Sequence, residues 1–306
     1  MIMSALYHFK ATKSTPLFKF FHFKYNRPMT HEIIENFSLK EIAVSGQCFR
    51  MKQLDRAPEA IAAETAPDDG VDYFEIIAAD KKLHAAQCGS RFFFDCSESE
   101  FDAFWRGYFD LDTDYGKIIE SIDPQDDYLK NAAACCPGIR ILRQDPWEML
   151  ITFIISQQNN IPRIKKCVEA ICEKYGEDRG GYHAFPPAEA LAALAPDGLM
   201  ELGLGYRSKY IVAAAREVVS GGLEPGELIK LDYDSARARL LQVYGIGKKV
   251  ADCVCLFGLH HVEAFPIDTH IAQVLAAHYP QGFPFEKYAG YAGILQQYMF
   301  YYDLHG

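Results

Sequence analysis

Leu240–Phe257 reads LLQVYGIGKKVADCVCLF, in which two helical patterns flank a tight Gly-Ile-Gly turn. Ser235 is the expected N-cap of the first helix, and Gly245 and Gly247 suit a turn that needs unusual backbone angles. The second helix is expected to start near Lys248. Its apolar residues recur at helical spacing and predict one buried stripe, formed by Val250, Val254 and Phe257. The stretch therefore predicts a helical hairpin.

The start of the second helix carries backbone N–H groups without partners inside the helix, at the positive end of the helix dipole. A glycine-rich turn lets a phosphate approach these groups closely, so the hairpin suits a phosphate. The pattern resembles the helix-hairpin-helix motif, which holds the DNA backbone without reading its sequence. An ordinary corner between two helices explains Gly245 and Gly247 equally well. Lys248 is a further candidate contact to phosphate.

Lys249 lies in the first turn of the second helix, where the helix dipole disfavours a positive charge. A neutral amine is a nucleophile whereas an ammonium group is not, so this position favours a nucleophilic lysine. Cys253 follows one turn later on the same helix face and brings a small polarisable side chain beside the amine. A solvated lysine, or a lysine that only contacts phosphate, is the alternative that this stretch leaves open.

A second segment, Phe265–His270, reads FPIDTH and precedes a helical run in which Asp268 is the expected N-cap. The GIG turn with Lys249, followed at this spacing by P-x-D-x-H, resembles the helix-hairpin-helix DNA glycosylases, whose motif ends in a Gly/Pro-rich loop and an aspartate. Lysine at 249 resembles the bifunctional members, which remove a damaged base and then nick the strand; the likeness is to 8-oxoguanine DNA glycosylases. The resemblance implies catalysis by Lys249 and Asp268, and His270 is expected to contact DNA.

The resemblance also implies a pocket for the damaged base. The segment SGQCFR predicts a turn at its glycine, Gly46, and in the resembled family this carbonyl accepts a hydrogen bond from N7–H of 8-oxoguanine, which guanine lacks. The aromatic run 288–303 predicts a helix in which Gln296 and Phe300 share one face. By resemblance, Gln296 binds the Watson–Crick edge of the flipped base and Phe300 stacks on it opposite Cys253. Core packing explains the same aromatic stripe.

Four amide side chains cluster before Pro162, at Gln157, Gln158, Asn159 and Asn160. A capped turn between helices explains them, but they also offer hydrogen bonds to an opened base pair. The resemblance implies that this turn enters the gap left by the flipped base and that Arg163 contacts the orphaned cytosine, with Gln158 standing where eukaryotic members have asparagine. A second glycine-rich turn carries Tyr206 and Arg207, which match a wedge and another cytosine contact.

Length and composition indicate a soluble globular protein of one large or two modest domains, with 306 residues, 49% hydrophobic and 24% charged. No apolar run reaches the length of a membrane span, so no membrane association is expected. Residues 1–29 form a basic, aromatic extension of unknown role that lacks the features of a secretion signal. We expect an intracellular protein, in the cytoplasm with the nucleoid if the source is bacterial.

The nine cysteines argue against a disulfide framework and against zinc, because their number is odd and no CxxC pair occurs. No cysteine follows Cys255, so the iron–sulfur cluster of some related glycosylases is not expected, nor any other metal or cofactor. The net charge of −10 is unusual for a DNA-binding protein. Residues 55–127 hold 19 acidic and 6 basic residues, a local charge of −13, so the rest carries +3. The acidic region is expected to face away from DNA.

The order of local patterns predicts an α+β fold. Residues 30–125 form an N-terminal antiparallel β domain with a variable loop over 53–70 and a short aromatic helix or turn over Phe101–Phe109. Strand patterns in it begin at Tyr73, Lys82 and Arg91. Strand signals nearly vanish in residues 126–306, which are expected to form an all-α helix-hairpin-helix glycosylase domain.

We therefore expect a monomeric enzyme that binds double-stranded DNA containing 8-oxoguanine opposite cytosine and flips the damaged nucleotide out of the helix. Lys249 would attack C1′ as the base leaves, Asp268 would stabilise the positive charge on the sugar, and the Schiff base would permit β-elimination. One alternative is a related glycosylase for another lesion. The other is a non-enzymatic helix-hairpin-helix module, which would have no use for Lys249 and Asp268 facing one cleft.

Overall fold

The computed structural model describes residues 28–62 and 70–306. An antiparallel sheet of five strands, in the order β1-β5-β4-β3-β2, forms the first part of the structure. Its strands are β1 Thr30–Ile33, β2 Met51–Leu54, β3 Asp72–Ala78, β4 Lys81–Cys88 and β5 Arg91–Phe94. The three strands expected from the sequence are confirmed as β3, β4 and β5. Their register aligns Phe74, Ala85 and Phe94 on the buried face.

The edge strands β1 and β2 and a short helix lie outside the three strand patterns that the sequence located at Tyr73, Lys82 and Arg91. The prediction of a loop over 53–70 is wrong in two places. Strand β2 continues to Leu54, and a short helix, α2, covers Glu59–Ala62. Residues 63–69 of that loop lie outside the described residues. So does the expected N-terminal extension up to residue 27.

An aromatic cluster fills the space behind the sheet. The chain after β5 forms α3 Glu98–Glu100, a π-helical turn Phe101–Trp105 and α4 Arg106–Tyr108. The ring centres of Phe94 and Phe101 lie 4.8 Å apart, and the side chain of Trp105 is completely buried. Burying a side chain of this size contributes about 2–3 kcal/mol, so the aromatic residues act as core, as the sequence predicts.

Helices form the rest of the structure and enclose the larger of two hydrophobic cores. They are α1 Leu39–Val44 before the sheet is complete, and then α5 Tyr115–Glu120, α6 Asp127–Cys135, α7 Pro146–Ile155, α8 Ile161–Tyr175, α9 Ala188–Ala192, α10 Arg207–Val219, α11 Pro225–Leu228, α12 Tyr233–Leu240, α13 Lys248–Phe257, α14 Thr269–His278 and α15 Ala292–His305. Eight of the ten residues of α7 are buried, as expected for a helix that is apolar on all sides. The α+β fold is confirmed, whereas the domain boundary near residue 125 stays a prediction.

The N-cap predicted for α12 is wrong. Asp232 caps this helix, and its Oδ1 accepts a hydrogen bond from the backbone N–H of Ser235 over 2.8 Å. Aspartate and serine are comparable N-caps, and the aspartate three residues earlier starts the helix first. Ser235 therefore occupies the first turn as the donor of the capping hydrogen bond.

Hydrogen bonds from Gln47 connect the loop after α1 to the segment that enters the helical part. Gln47 Nε2 donates to the carbonyl oxygen of Arg140 over 2.9 Å, and Gln47 Oε1 accepts from Leu142 N over 2.9 Å. Gln144 Nε2 donates back to the carbonyl oxygen of Gln47 over 2.9 Å. These groups are buried, and buried polar groups are costly unless paired, so the bonds fix the loop against the helical part.

A buried ion pair adds to this connection. Arg50 Nη1 lies 3.7 Å from Glu148 Oε2 on α7, and the two residues are 2% and 6% exposed. Burial raises the pKa of Glu148 to about 7, although the nearby Arg50 charge acts to lower it. Arg50 also donates to the carbonyl oxygen of His183. The pair therefore holds a carboxyl group whose charge state changes near neutral pH.

No helix within residues 28–62 and 70–306 is long and apolar enough to cross a membrane. In the same ranges, no three histidine, cysteine or carboxylate side chains are grouped so that they could hold a metal ion. The nine cysteines all fall in the described part of the chain and are free thiols.

Candidate active site and DNA-binding surface

A cleft between the sheet-containing part and the helical part brings the separated sequence motifs together. The loop after α1 forms one wall, and α13, α15 and the N-terminus of α14 form most of the rest. The cleft is lined by every residue predicted for catalysis or for the base pocket, namely Lys249, Asp268, Gly46, Cys253, Gln296 and Phe300. Lys249 and Asp268 therefore face one cleft, as an enzyme requires and a simple binding module does not.

The amine of Lys249 is held without a charged partner. Lys249 Nζ donates to Ser156 Oγ over 3.0 Å and lies 5.4 Å from the centre of the Phe153 ring. The Ser156 hydroxyl donates to the carbonyl oxygen of Phe153 over 2.8 Å, so it meets the amine as an acceptor. No carboxylate of the described residues forms an ion pair with Lys249. The hydrogen bond to Ser156 therefore orients the amine within the cleft.

Cys253 lies one turn along α13 from Lys249, at 3% exposure. Burial raises the pKa of its thiol to about 11, although the nearby Lys249 acts to lower it. The thiol therefore stays neutral at physiological pH and is a poor nucleophile. Its small, polarisable side chain lines the cleft.

Asp268 starts α14, which confirms the N-cap prediction. Its Oδ1 accepts a hydrogen bond from the backbone N–H of Ile271 over 2.9 Å. Asp268 also lines the cleft, and its negative charge acts to raise the pKa of Cys253. The cap thus fixes one carboxylate oxygen and presents a negative charge to the same space as the Lys249 amine.

Helix α15 supplies a buried amide and an aromatic ring. Gln296 Nε2 donates to the carbonyl oxygen of Pro266 over 3.1 Å, whereas its Oε1 is buried and has no partner among the described residues. Phe300 lies one turn later, with its ring 5.9 Å from the ring of His270. His270 is exposed, and its Nδ1 lies 2.7 Å from Asp303 Oδ2. The unpaired Gln296 oxygen is available to a ligand that carries hydrogen-bond donors.

Gly46 lies on the opposite wall with φ +76°, a left-handed conformation that favours glycine. A Cβ atom at this position would lie 3.1 Å from Phe300 Cε1 and 3.4 Å from Ile161 Cδ1. No hydrogen bond from the described residues reaches the Gly46 carbonyl oxygen. Glycine is thus required both by the turn and by the close approach of Phe300.

The hairpin between α12 and α13 has the geometry that the Gly-Ile-Gly sequence predicts. Gly245 has φ +89°, and its Cα packs against the ring of Tyr210 so closely that a Cβ atom would overlap it. Gly247 caps α13 in an extended conformation and is exposed, as is Lys248. The exposed N-terminus of α13 offers backbone N–H groups to an anion, as a phosphate-binding hairpin requires.

The amide-rich turn between α7 and α8 is held in an unusual conformation. Gln158 is exposed and has φ +48°. The side chain of Asn160 caps α8 by accepting from Arg163 N over 3.0 Å, while Asn159 Nδ2 donates to Ile155 O over 3.1 Å. Arg163 is exposed, and its Nη2 donates to the carbonyl oxygen of Gly203 over 3.0 Å. Gln158 and Arg163 are therefore at the surface, whereas Asn159 and Asn160 also stabilise the turn.

Arg207 does not lie at the surface, although the resemblance implies a contact with cytosine. It is 5% exposed and its guanidinium donates to the carbonyl oxygens of Gln157 and Gln158, the latter over 2.9 Å. Tyr206 is 42% exposed and stacks on this guanidinium, whose Cζ lies 4.8 Å from the ring centre. Arg207 thus supports the amide-rich turn from below. Tyr206 has the exposure that a wedge needs.

Ser156 and Gln297 form hydrogen bonds at the candidate site but were not predicted from the sequence. Ser156, which binds the Lys249 amine, ends α7 and looks like an ordinary capping residue. Gln297 lines the cleft next to Gln296 and donates from its Nε2 to the carbonyl oxygen of Ser45 over 2.9 Å. The adjacent pair of buried glutamines in an otherwise apolar helix was the signal that could have identified Gln297.

Comparison with known proteins places this cleft in a family. A family model described as the N-terminal domain of 8-oxoguanine DNA glycosylase matches residues 31–150. A second, for the HhH-GPD superfamily of base excision DNA repair proteins, matches residues 151–282. The structure of the Clostridium acetobutylicum 8-oxoguanine glycosylase/lyase, in complex with double-stranded DNA containing cytosine opposite 8-oxoguanine, superposes with a TM-score of 0.78. It is 32% identical in sequence, over 90% of this chain and 96% of that one. The chain belongs to the 8-oxoguanine DNA glycosylase family.

Curated relatives match parts of this family member. The N-glycosylase/DNA lyase of Saccharomyces cerevisiae is 39% identical over 189 residues, which is 56% of this chain and 50% of the yeast protein. The DNA-3-methyladenine glycosylase of Bacillus subtilis is 32% identical over 167 residues, 53% of this chain and 55% of that protein. The chain thus spans about half the length of these relatives. The family predicted from the sequence is confirmed, and the roles of individual site residues stay predictions.

Proposed function

We propose that the protein is a bifunctional DNA glycosylase that removes 8-oxoguanine opposite cytosine and then nicks the strand. The observation that carries the proposal is that Lys249 and the carboxylate of Asp268 line the same cleft. The Lys249 amine is bound there by the hydroxyl of Ser156. The same cleft has two hydrogen-bond acceptors that are unpaired within the described residues, which are the Gly46 carbonyl oxygen and Gln296 Oε1. An aromatic face is supplied by Phe300. Membership of the family and the names of the relatives support this assignment.

DNA would bind through its backbone and open at the lesion. The N-terminus of α13, with Gly247 and Lys248 exposed, would hold a phosphate. Extruding a nucleotide costs a few kcal/mol of stacking, and an inserted side chain offsets part of this cost. Tyr206 and Gln158 are exposed on adjoining turns and would enter the gap, while Arg163 would contact the cytosine. The acidic region would lie away from the DNA.

Recognition of the damaged base would rely on the unpaired acceptors. The carbonyl oxygen of Gly46 accepts the N7–H of 8-oxoguanine, whereas guanine has a lone pair at N7 and would leave both groups unpaired. An unsatisfied buried polar group costs about 1–3 kcal/mol, which corresponds to a preference of roughly 5- to 150-fold. Gln296 Oε1 accepts from the N–H groups on the Watson–Crick edge. Phe300 and the neutral thiol of Cys253 form the two faces of the slot.

Catalysis would begin with attack of the neutral Lys249 amine on C1′. The new C–N bond forms as the bond from C1′ to the base breaks, and the base leaves with the bonding electron pair and then takes up a proton. Asp268 stabilises the positive charge that develops on the sugar. Opening of the sugar ring gives a Schiff base, loss of a C2′ proton expels the 3′ phosphate, and water releases the lysine. The hydroxyl of Ser156 orients the amine before attack.

Borohydride trapping tests this proposal directly. A labelled duplex carrying 8-oxoguanine opposite cytosine is incubated with the protein and sodium borohydride, beside an undamaged duplex. We expect a covalent product only with damaged DNA, and none with Lys249→Ala. Lys248→Ala is the matched control, because Lys248 is exposed on the same helical turn and is not the proposed nucleophile. This variant should still form the covalent product through Lys249. A covalent product with Lys249→Ala would reject Lys249 as the nucleophile. No covalent product with the wild type would reject 8-oxoguanine as the substrate.

A related glycosylase for another damaged base is the second candidate. The match to the B. subtilis DNA-3-methyladenine glycosylase favours it, at 32% identity over 167 residues. Base release from duplexes with 8-oxoguanine, 3-methyladenine or other lesions separates the two candidates. Faster release of an alkylated base than of 8-oxoguanine would support the alternative.

A further inference from the structure

Gln297 connects the helix that carries the base pocket to the loop that carries Gly46. It is 2% exposed, and its Nε2 donates to the carbonyl oxygen of Ser45 over 2.9 Å. Its Oε1 is also buried and has no hydrogen-bond partner among the described residues. Burying a glutamine whose amide oxygen has no hydrogen-bond partner costs free energy. A function of the paired Nε2 group would explain why glutamine occupies this position.

The accepting oxygen belongs to the peptide group that leads into Gly46. The loop side of this peptide is fixed by short-range bonds, since Ser45 Oγ donates to Ile42 O over 2.9 Å and accepts from Gln47 Nε2 over 3.1 Å. Gly46 itself has φ +76° and can rotate more freely than any other residue type. The direction of its carbonyl therefore depends on contacts that hold the peptides around it.

The two adjacent glutamines hold opposite walls of the cleft. Gln296 Nε2 binds the carbonyl oxygen of Pro266, two residues before Asp268, whereas Gln297 Nε2 binds that of Ser45, next to Gly46. One turn of α15 thus sets the distance between the wall with the catalytic carboxylate and the wall with the discriminating carbonyl. A rotation or shift of α15 would move both walls together.

We propose that Gln297 is a positioning residue for lesion recognition, which fixes the Gly46 carbonyl through the Ser45 peptide. This inference rests on the proposed function, because it assumes that the Gly46 carbonyl distinguishes 8-oxoguanine from guanine. Gln297 affects the step in which the base is read and has no part in the chemistry of Lys249. Cleavage at an abasic site, which has no base to read, is therefore independent of it.

Gln297→Met tests the proposal because methionine keeps the length of the side chain and removes the donor. Single-turnover release of 8-oxoguanine opposite cytosine is measured beside nicking of a preformed abasic site, and the melting temperature is recorded. We expect release to slow by about tenfold or more, while abasic nicking stays within about twofold of wild type. Gln297→Leu is the second variant, in case the methionine variant does not fold.

Tyr298→Phe is the matched control. Tyr298 is the next residue of α15 and is fully buried, and its hydroxyl has no hydrogen-bond partner in the described part of the chain. Removing that hydroxyl should leave both reactions unchanged. The Tyr298→Phe variant thus shows whether any polar-to-apolar change in α15 slows base release.

The outcomes separate the inference from the proposed function. Equal slowing of base release and abasic nicking, with a lower melting temperature, would show that Gln297 is only structural and would overturn the inference. Release at the wild-type rate would overturn it as well. A wild type that nicks abasic sites but releases no 8-oxoguanine would reject the proposed substrate, and the inference with it.

Discussion

Replacing Gly245 by alanine should disrupt the hairpin that connects α12 and α13. An alanine Cβ would overlap the ring of Tyr210 at its Cγ and Cδ1 atoms, far inside van der Waals contact. Alanine also has to adopt φ +89°, which costs about 1–2 kcal/mol. Displacing the tyrosine from a packed position adds about 1–3 kcal/mol. We expect Gly245→Ala to lower the free energy of unfolding by about 2–5 kcal/mol.

Gly247→Ala is the matched control, two residues along the same turn. Gly247 has φ −98°, which any residue adopts, and a Cβ there would meet no atom within 4 Å. Alanine is a poorer N-cap than glycine by about 0.5–1.5 kcal/mol, but it stabilises by about 0.4–1 kcal/mol because it restricts the unfolded chain. The two effects nearly cancel, so its free energy of unfolding should stay within about 1 kcal/mol of wild type.

Urea denaturation of the two variants and the wild type gives the comparison, with the slope of each transition checked for two-state behaviour. Binding of undamaged duplex DNA is measured by fluorescence anisotropy on the same samples. Gly245→Ala should bind more weakly, because its displaced turn misaligns the N–H groups at the start of α13. Stabilities of the two variants that agree within about 1 kcal/mol would refute the role of Tyr210 in fixing the hairpin.

Three further substitutions test other parts of the structure. Asp268→Asn keeps an oxygen that can cap α14 but removes the charge, so single-turnover base release should slow about 100-fold with helix content unchanged; an unchanged rate would reject its electrostatic role. The pKa of Glu148 is raised to about 7, so its contribution to stability is present at low pH and is lost as the pH rises through 7. Glu148→Gln removes this loss, and its stability relative to wild type should increase by about 3 kcal/mol between about pH 5 and 8 in urea titrations; a constant difference would contradict it. Arg207→Met leaves the carbonyl of Gln158 without its buried donor and should destabilise the protein by about 1–3 kcal/mol, whereas a purely DNA-contacting arginine would leave unfolding unchanged.

Local patterns predicted the catalytic elements well, because the forces that form them act within a few residues. Helix α13 starts at Lys248 as expected, since Gly247 and the apolar stripe fix its start and its buried face. Asp268 caps α14 through the backbone N–H of Ile271, three residues away. Caps and helical periodicity are short-range features, so one sequence suffices to find them.

The features that the sequence did not reveal depend on contacts between distant residues. Strands β1 and β2 are the two edges of the sheet and have four residues each, too few to show a clear alternation. Gln297 binds Ser45 across 252 positions, and Arg207 turns inward to carbonyls about 50 positions away. The sequence around Gln297 and Arg207 gives no sign of which distant carbonyl each side chain binds. Ser235 and Asp232 are competing caps that short-range rules do not rank.

The contribution of two separate parts of the chain to the cleft has a consequence for how such a protein can diverge. The loop with Gly46 belongs to the first 150 residues, whereas Lys249 and Asp268 belong to the helical part. Under the proposed function, mutations that accumulate in the early part of the gene would alter the wall that carries Gly46 while Lys249 and Asp268 are inherited intact. Under the same proposal, a lineage would acquire a new substrate lesion through changes in that wall, provided that the Gln297 amide keeps a hydrogen-bond acceptor there.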